Sequence, residues 1–87
     1  MQFEGALIKE QGVTFAVVIV KRSVLQGRVE ADRLSRQFSA QAFGGSPVVL
    51  MAQDSSGVPT YYGRSDLSKF MANVPLQAVP WKKFTVS

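Results

Sequence analysis

The 87-residue chain carries ten Lys or Arg against six Asp or Glu, has a hydrophobic fraction of 46 %, and contains neither cysteine nor histidine. This composition fits one small globular domain and excludes disulfides, thiol chemistry, histidine-based zinc sites and nucleophilic triads that use a histidine base. The net charge of +4 favours anionic partners weakly, although an excess of this size also serves simply to keep a small domain soluble.

The N-terminal segment predicts neither secretion nor membrane insertion. It has an acid at Glu4 and no basic run before an apolar stretch, so it is not typical of a secretory signal. The longest apolar run, residues 13–20, is far shorter than the roughly 20 residues that cross a bilayer. Together with the absence of cysteine, these features predict a cytoplasmic protein outside the membrane.

The first two predicted strands form a hairpin. Residues 3–8 and 13–21 are rich in aromatic and β-branched side chains, and the loop between them contains Gly12. Both faces of the second strand are apolar, which predicts a central position in the sheet with cover on both sides.

A helix is predicted from Ser23 to about Phe43. The SVLQ pattern at its start is typical of a capping box, in which Ser23 and Gln26 satisfy each other's backbone N–H groups. Gly44 and Gly45 predict its end, because glycine adopts the left-handed conformation of a helix C-terminus without strain.

This predicted helix carries a basic face. Arg28, Arg33 and Arg36 lie away from its apolar stripe, and Asp32 is expected to pair with Arg28 and Arg36 across one helical turn. Some apolar side chains share the same side and need cover, from a second copy of the chain or from its C-terminal tail. They are Leu25, Val29 and Phe43.

The second half predicts another hairpin, a shorter helix and a last strand. SPVVLMAQ and VPTYYG flank DSSG, and Pro59 places the later strand at a sheet edge or a bulge. Ser65 is the predicted N-cap of the helix, which ends near Asn73 and Pro75. Alternation in the tail predicts a final strand that includes Trp81.

These elements predict an α+β fold over residues 1–87 as a single domain. We expect an antiparallel sheet of four to five strands in the order ββαββαβ, with both helices on one face. The segments EQGV and RSVL of the first half resemble SSGV and RSDL of the second, which raises the hypothesis of a ββα duplication about a pseudo-twofold axis. Serine caps and glycine turns also recur for local chemical reasons, so both explanations stay open.

No residue set matches a catalytic or cofactor motif. Most of the six carboxylates have structural explanations in loops, caps and helix pairs. The pair Gly44 and Gly45 lacks the lysine and the spacing of a phosphate-binding loop. The sequence therefore predicts a protein that is not an enzyme and uses no cofactor or metal.

The segment TYYGRSD, residues 60–66, predicts a binding surface. Neighbouring side chains of a strand point to opposite faces, so one of Tyr61 and Tyr62 is free, and we expect it to be Tyr62. Arg64 lies at a helix start, where backbone N–H groups favour an anion. In the alternative interpretation, Arg64 pairs with Asp66 and the tyrosine packs on a neighbouring strand.

Three functions remain open from the sequence. The first is a small protein-interaction module that acts as a homodimer or holds another protein. The second is nucleic-acid binding through a basic helix face and a stacking aromatic side chain, and the third is binding of another anion or a small ligand. The residues predicted to bind are Tyr62, Arg64, Arg28, Arg33, Arg36 and Trp81.

Overall fold

The computed structural model describes residues 1–10 and 12–86, which form a mixed five-stranded sheet between two helices. The strands are β1 (Gln2–Glu10), β2 (Val13–Ile19), β3 (Val48–Gln53), β4 (Pro59–Tyr62) and β5 (Lys82–Thr85). The helices are α1 (Arg28–Ala42) and α2 (Ser65–Ala72), and 3₁₀ helices occupy Arg22–Gln26 and Leu76–Ala78. None of the helices in this described part is long and apolar enough to cross a membrane.

The strand order is β4-β3-β2-β1-β5, and β2 runs parallel to β3. The other neighbouring strands are antiparallel. The sheet is therefore mixed, and the prediction of a purely antiparallel sheet is wrong. The reason is that α1 carries the chain back across the sheet before β3 begins, which is how parallel neighbours are connected. The predicted order ββαββαβ also omits the two 3₁₀ helices. The central position of β2 and the edge position of β4 are confirmed.

The two helices lie on opposite faces of the sheet, so the prediction of one shared face is wrong. One core joins β2 to α2 and includes Phe15, Val17, Leu67 and Met71. The other core joins β2 to α1 and includes Ala16, Val18, Ala31 and Phe38. Because neighbouring strand residues point to opposite faces, a strand that is apolar throughout needs cover on both sides.

The single long helix predicted from Ser23 consists of two elements. Arg22–Gln26 is a 3₁₀ helix, and α1 starts only after Gly27, whose backbone is extended with φ −118° and ψ 114°. No side-chain hydrogen bond caps the 3₁₀ helix, so the predicted capping box does not form. The predicted end of the helix is confirmed, since Gly44 and Gly45 have φ of 60° and 90°.

Ser65 is not the N-cap of α2. Arg64 occupies that position, Ser65 is the first helical residue, and no side-chain hydrogen bond caps the helix. The loss of about 1 kcal/mol that a serine cap implies is therefore not expected for Ser65→Ala.

The two ββα halves are related by a screw operation and not by a closed twofold axis. A half-turn about an axis in the sheet, perpendicular to the strands, with a shift of two strand positions carries β1 onto β3 and β2 onto β4. This operation exchanges the faces of the sheet, in agreement with the positions of α1 and α2. Gly12 and Gly57 occupy equivalent turns, with φ of 81° and 86°. A common origin of the halves stays a prediction, and Gln11 of the EQGV segment lies outside the described residues.

The chain itself covers two of the three apolar side chains that needed cover. Phe43 is buried and Leu25 is half-buried against the same core. The ring of Phe43 meets that of Phe84 in β5 edge-on, with centroids 5.2 Å apart, so the C-terminal strand supplies part of the cover. Val29 is 81 % exposed. These contacts weaken the reason to expect a homodimer, which stays a prediction.

Gly5 of β1 packs tightly against the backbone of β2. A Cβ at this position would lie 2.6 Å from the carbonyl oxygen of Val17, closer than such atoms pack. We expect Gly5→Ala to lower the free energy of unfolding by about 1–3 kcal/mol and the Tm by roughly 4 °C or more, measured by urea and thermal denaturation. Lys9→Ala, at an exposed position of the same strand, is the control and should be nearly neutral. A Gly5→Ala variant as stable as the control would contradict this packing.

Candidate functional site

An open cleft of about 560 Å³ separates α1 from the β4 edge of the sheet. One wall is a stripe of α1, and the other consists of the end of β4 with the turn that leads to α2. The start of β3 forms the floor. The side chains that give the cleft its character are Arg28, Asp32 and Arg36 from α1 with Tyr62 and Arg64 from the opposite wall.

The α1 wall follows from helical periodicity. Arg28, Asp32 and Arg36 are spaced by four residues, so they lie along one side of the helix. A different stripe, which includes Ala31 and Phe38, enters the core. Burial of the apolar stripe therefore directs the polar one toward the uncovered β4 edge.

Tyr62 connects the two walls of the cleft. Its hydroxyl donates a hydrogen bond of 2.7 Å to Oδ1 of Asp32, although the two residues are 30 positions apart. The side chain is half-buried and packs on the core beneath α1, whereas Tyr61 packs on the opposite core. The prediction that the two tyrosines divide between the faces is confirmed, whereas the expectation that Tyr62 is a free ring is wrong, because α1 lies on its face of the sheet and Asp32 accepts a hydrogen bond from its hydroxyl.

The chain leaves β4 through a glycine that sits tightly against β3. A Cβ at Gly63 would lie 3.2 Å from the carbonyl oxygen of Val48 and from Val49. The missing side chain lets the turn stay close to the sheet, which keeps Arg64 at the mouth of the cleft.

The pKa of Tyr62 reflects its position beside a carboxylate. The hydrogen bond to Asp32 raises the pKa above its ordinary value, and burial and the negative charge of Asp32 raise it further. The nearby Arg28 guanidinium acts in the opposite direction. The phenol is thus held in its neutral, donating form.

Asp32 does not form the ion pairs that helical spacing predicts. Within residues 1–10 and 12–86, no salt bridge joins it to Arg28 or Arg36. The competing partner is Tyr62, which reaches Asp32 across a tertiary contact. Neither arginine therefore has a carboxylate partner among the described residues, and both positive charges are available to a ligand.

Arg64 forms the ion pair that the alternative interpretation predicted. Its Nη2 lies 2.7 Å from Oδ2 of Asp66, and its Nε donates to Oδ1 at 3.2 Å. The side chains are 54 % and 61 % exposed, respectively. Such exposed pairs stabilise by at most about 1 kcal/mol, so a bound anion can compete with Asp66 for the guanidinium.

Arg33 and Trp81, also predicted to bind, do not line the cleft. Arg33 is paired with Glu30 on the exposed side of α1, with contacts of 2.6 and 2.8 Å. Trp81 packs on the core of the α2 face, and its indole Nε1 donates to the carbonyl of Leu76 at 3.1 Å. The structure brings together the other four residues, Tyr62, Arg64, Arg28 and Arg36.

Asp32 belongs to the cleft although sequence reasoning assigned it only a structural role. Its spacing from Arg28 and Arg36 indicated that all three share a side of one helix. Its bond to Tyr62 had no local signal, because it depends on the packing of α1 against the sheet.

Comparison with known proteins gives no family for this chain. No protein-family model, no curated protein and no solved structure matches it. The geometry of the cleft is therefore the basis for assigning a function.

We expect Tyr62 to ionise above the ordinary tyrosine pKa of 10.0, because its phenolate would stand beside the Asp32 carboxylate. Spectrophotometric titration of Tyr61→Phe isolates Tyr62, and the variant should fold because the buried Tyr61 hydroxyl has no hydrogen-bond partner among the described residues. Asp32→Asn in this background removes the charge and should lower the pKa of Tyr62.

The same pKa shift predicts a loss of stability at alkaline pH. Because the folded-state pKa of Tyr62 is raised, its contribution is complete below pH 10 and disappears as the pH rises through the folded-state pKa. Urea denaturation across this range should show a smaller alkaline loss for Tyr62→Phe than for the unmodified chain. A Tyr62 pKa that Asp32→Asn leaves unchanged would contradict the contact.

Proposed function

We propose that the protein binds an anionic ligand, bearing phosphate or carboxylate groups, in the cleft between α1 and β4. The observation that carries the proposal is the convergence of Arg28, Arg36 and Arg64 on one concave space of about 560 Å³. The carboxylate within that space, Asp32, is engaged by Tyr62 and by neither helical arginine.

Arginine suits this task for a chemical reason. Its guanidinium stays charged at any physiological pH, and its planar set of donors matches the oxygens of a phosphate or carboxylate. Arg28 and Arg36 extend from one wall and Arg64 from the other, so an anion between the walls meets positive charge from two sides.

The Tyr62–Asp32 contact supports selectivity within the cleft. Asp32 repels the charged part of a ligand and accepts a hydrogen bond from a donor group such as a hydroxyl or an amine. A ligand that carries an anionic group toward the arginines and a donor toward Asp32 satisfies both walls. An anion that also bears a hydroxyl or an amine therefore gains a contact at Asp32 in addition to its contacts with the arginines, which an inorganic anion can already make.

A homodimer is less well supported than ligand binding. The large apolar side chains exposed in the described part of the chain are spread over the first residue, the first strand, α1 and the β3–β4 turn. They are Met1, Leu7, Val29 and Val58. An interface core needs such side chains in one patch, so we keep the homodimer only as a second hypothesis.

Arg28→Ala and Arg36→Ala should each weaken binding of inorganic pyrophosphate by about tenfold, as expected for loss of one charge-assisted contact. Titration at low ionic strength, followed by NMR chemical shifts, measures the affinity and shows whether the perturbed residues line the cleft. Arg33→Ala is the matched control, because Arg33 lies on the same helix but is paired with Glu30. Equal losses for all three variants, or no saturable binding at all, would contradict the proposed cleft.

Arg64→Ala should weaken pyrophosphate binding while leaving the Tm nearly unchanged, because the ion pair with Asp66 is exposed. Thermal denaturation and the same titration measure the two effects. Unfolding of this variant would instead show that Arg64 belongs to the internal scaffold.

A further inference from the structure

A second hollow continues the cleft along β4. It has a volume of about 170 Å³ and lies beneath the first 3₁₀ helix, where Arg22 and Gln26 face Thr60. Thr60 and Tyr62 point to the same face of β4 and are about 7 Å apart along the strand. The two hollows therefore follow one another along the same face of β4, and we call them together the β4 groove, with the 3₁₀ helix and α1 as its wall.

The β4 groove carries four arginines, Arg22, Arg28, Arg36 and Arg64. Arg28 and Arg36 are separated by about 12 Å along the helix axis, a distance that three to four stacked nucleotides span at about 3.4 Å each. Asp32 lines the groove but is bonded to Tyr62.

One further carboxylate lies near the end of the groove. Arg22 makes a minor contribution to the lowered pKa of Asp54, whose main partners are the Ser56 hydroxyl and the Val58 backbone N–H. Asp54 is mainly engaged by its own turn, and no salt bridge joins it to Arg22 among the described residues, so the Arg22 guanidinium is free to donate to a ligand. Guanidinium groups are therefore present along the whole groove.

We propose that the anionic ligand of the cleft is a single strand of nucleic acid whose backbone follows the β4 groove. This inference rests on the proposed function of the cleft. The four arginines contact phosphates spaced along the strand, and the partly exposed side chain of Tyr62, in the middle of the groove, offers a surface on which a base stacks. Backbone contacts and stacking give binding with little sequence preference.

The groove fits a single strand better than a duplex or a peptide. In a duplex the bases are paired and stacked on one another, so none is free to stack on Tyr62. A peptide that bound by adding a strand to β4 would meet an edge of only four residues, the first of which, Pro59, has no N–H. The distribution of arginines along the groove also favours a ligand with one negative charge per unit.

The decisive experiment compares a short and a long anion on the full chain. Fluorescence anisotropy measures the affinity for labelled oligouridylate and oligodeoxythymidylate of about 10 nucleotides, a length within the range of single-strand sites. These affinities are compared with that for pyrophosphate. Three or four phosphate contacts predict that affinity falls roughly 20- to 50-fold between roughly 50 and 200 mM salt.

Arg22→Ala separates the groove from the cleft. It should weaken oligonucleotide binding and reduce the slope of log affinity against log salt by about 0.7, while pyrophosphate binding stays unchanged because Arg22 lies outside the cleft. Arg28→Ala should weaken both probes, and Arg33→Ala neither. Thermal denaturation establishes that each variant is folded.

The remaining outcomes overturn the inference in different ways. If pyrophosphate binds but the oligonucleotides bind no more tightly, or if Arg22→Ala has no effect on oligonucleotide binding, the proposed cleft stands. The assignment of a nucleic-acid strand as its ligand is then wrong. If polyglutamate or a duplex of equal charge binds as tightly as the single strand, the ligand class is wrong. If neither pyrophosphate nor oligonucleotide binds, the proposed function fails as well.

Discussion

β2 has no polar face, because Phe15, Ala16, Val17 and Val18 are all fully buried. Each side of the sheet must therefore be covered, and the chain places α1 on one side and α2 on the other. The crossing through α1 makes β3 parallel to β2. The cleft follows from the same arrangement, because α1 packs mainly over β3 and leaves the β4 edge open on that face. The site is thus a consequence of how the central strand is covered.

Much of the fold could be predicted from local patterns, and the remainder depended on tertiary contacts. The all-apolar pattern of β2 and Pro59 in β4 correctly indicated a central and an edge strand. The opposite placement of the helices was also implicit in a strand with two apolar faces, yet no local pattern assigns a particular helix to a particular face. The helix start was predicted wrongly. The capping-box pattern around Ser23 indicated a helix there, but glycine is unfavourable inside a helix, and the backbone is extended at Gly27.

Part of the candidate site could likewise be predicted from local patterns, and the rest depended on tertiary packing. Helical spacing indicated that Arg28 and Arg36 share a side of α1, and the strand end indicated that Tyr62 and Arg64 lie together. That these two pairs face each other depends on the packing of α1 on the sheet. Sequence could not exclude Arg33 because its engagement with Glu30 is one of several pairings that the helix allows. Trp81 was misleading for another reason, since exposed and half-buried tryptophans look alike in sequence.

One hydrogen bond determines both the geometry of the cleft and which of its guanidinium groups are free. If Asp32 had paired with Arg28 or Arg36, one guanidinium of the α1 wall would be engaged and β4 would lack a polar link to the helix. The Tyr62 hydroxyl instead donates to Asp32. This hydrogen bond holds the edge strand beside α1, and it leaves Arg28 and Arg36 without a carboxylate partner among the described residues. The residues that attract a ligand then contribute little to folding, since their charges are exposed. Tyr62 and Gly63, which position them, are held by the core and by close backbone packing. The arginines can therefore be replaced with little loss of stability, whereas a change at Tyr62 alters the shape of the cleft and also releases Asp32 to pair with an arginine.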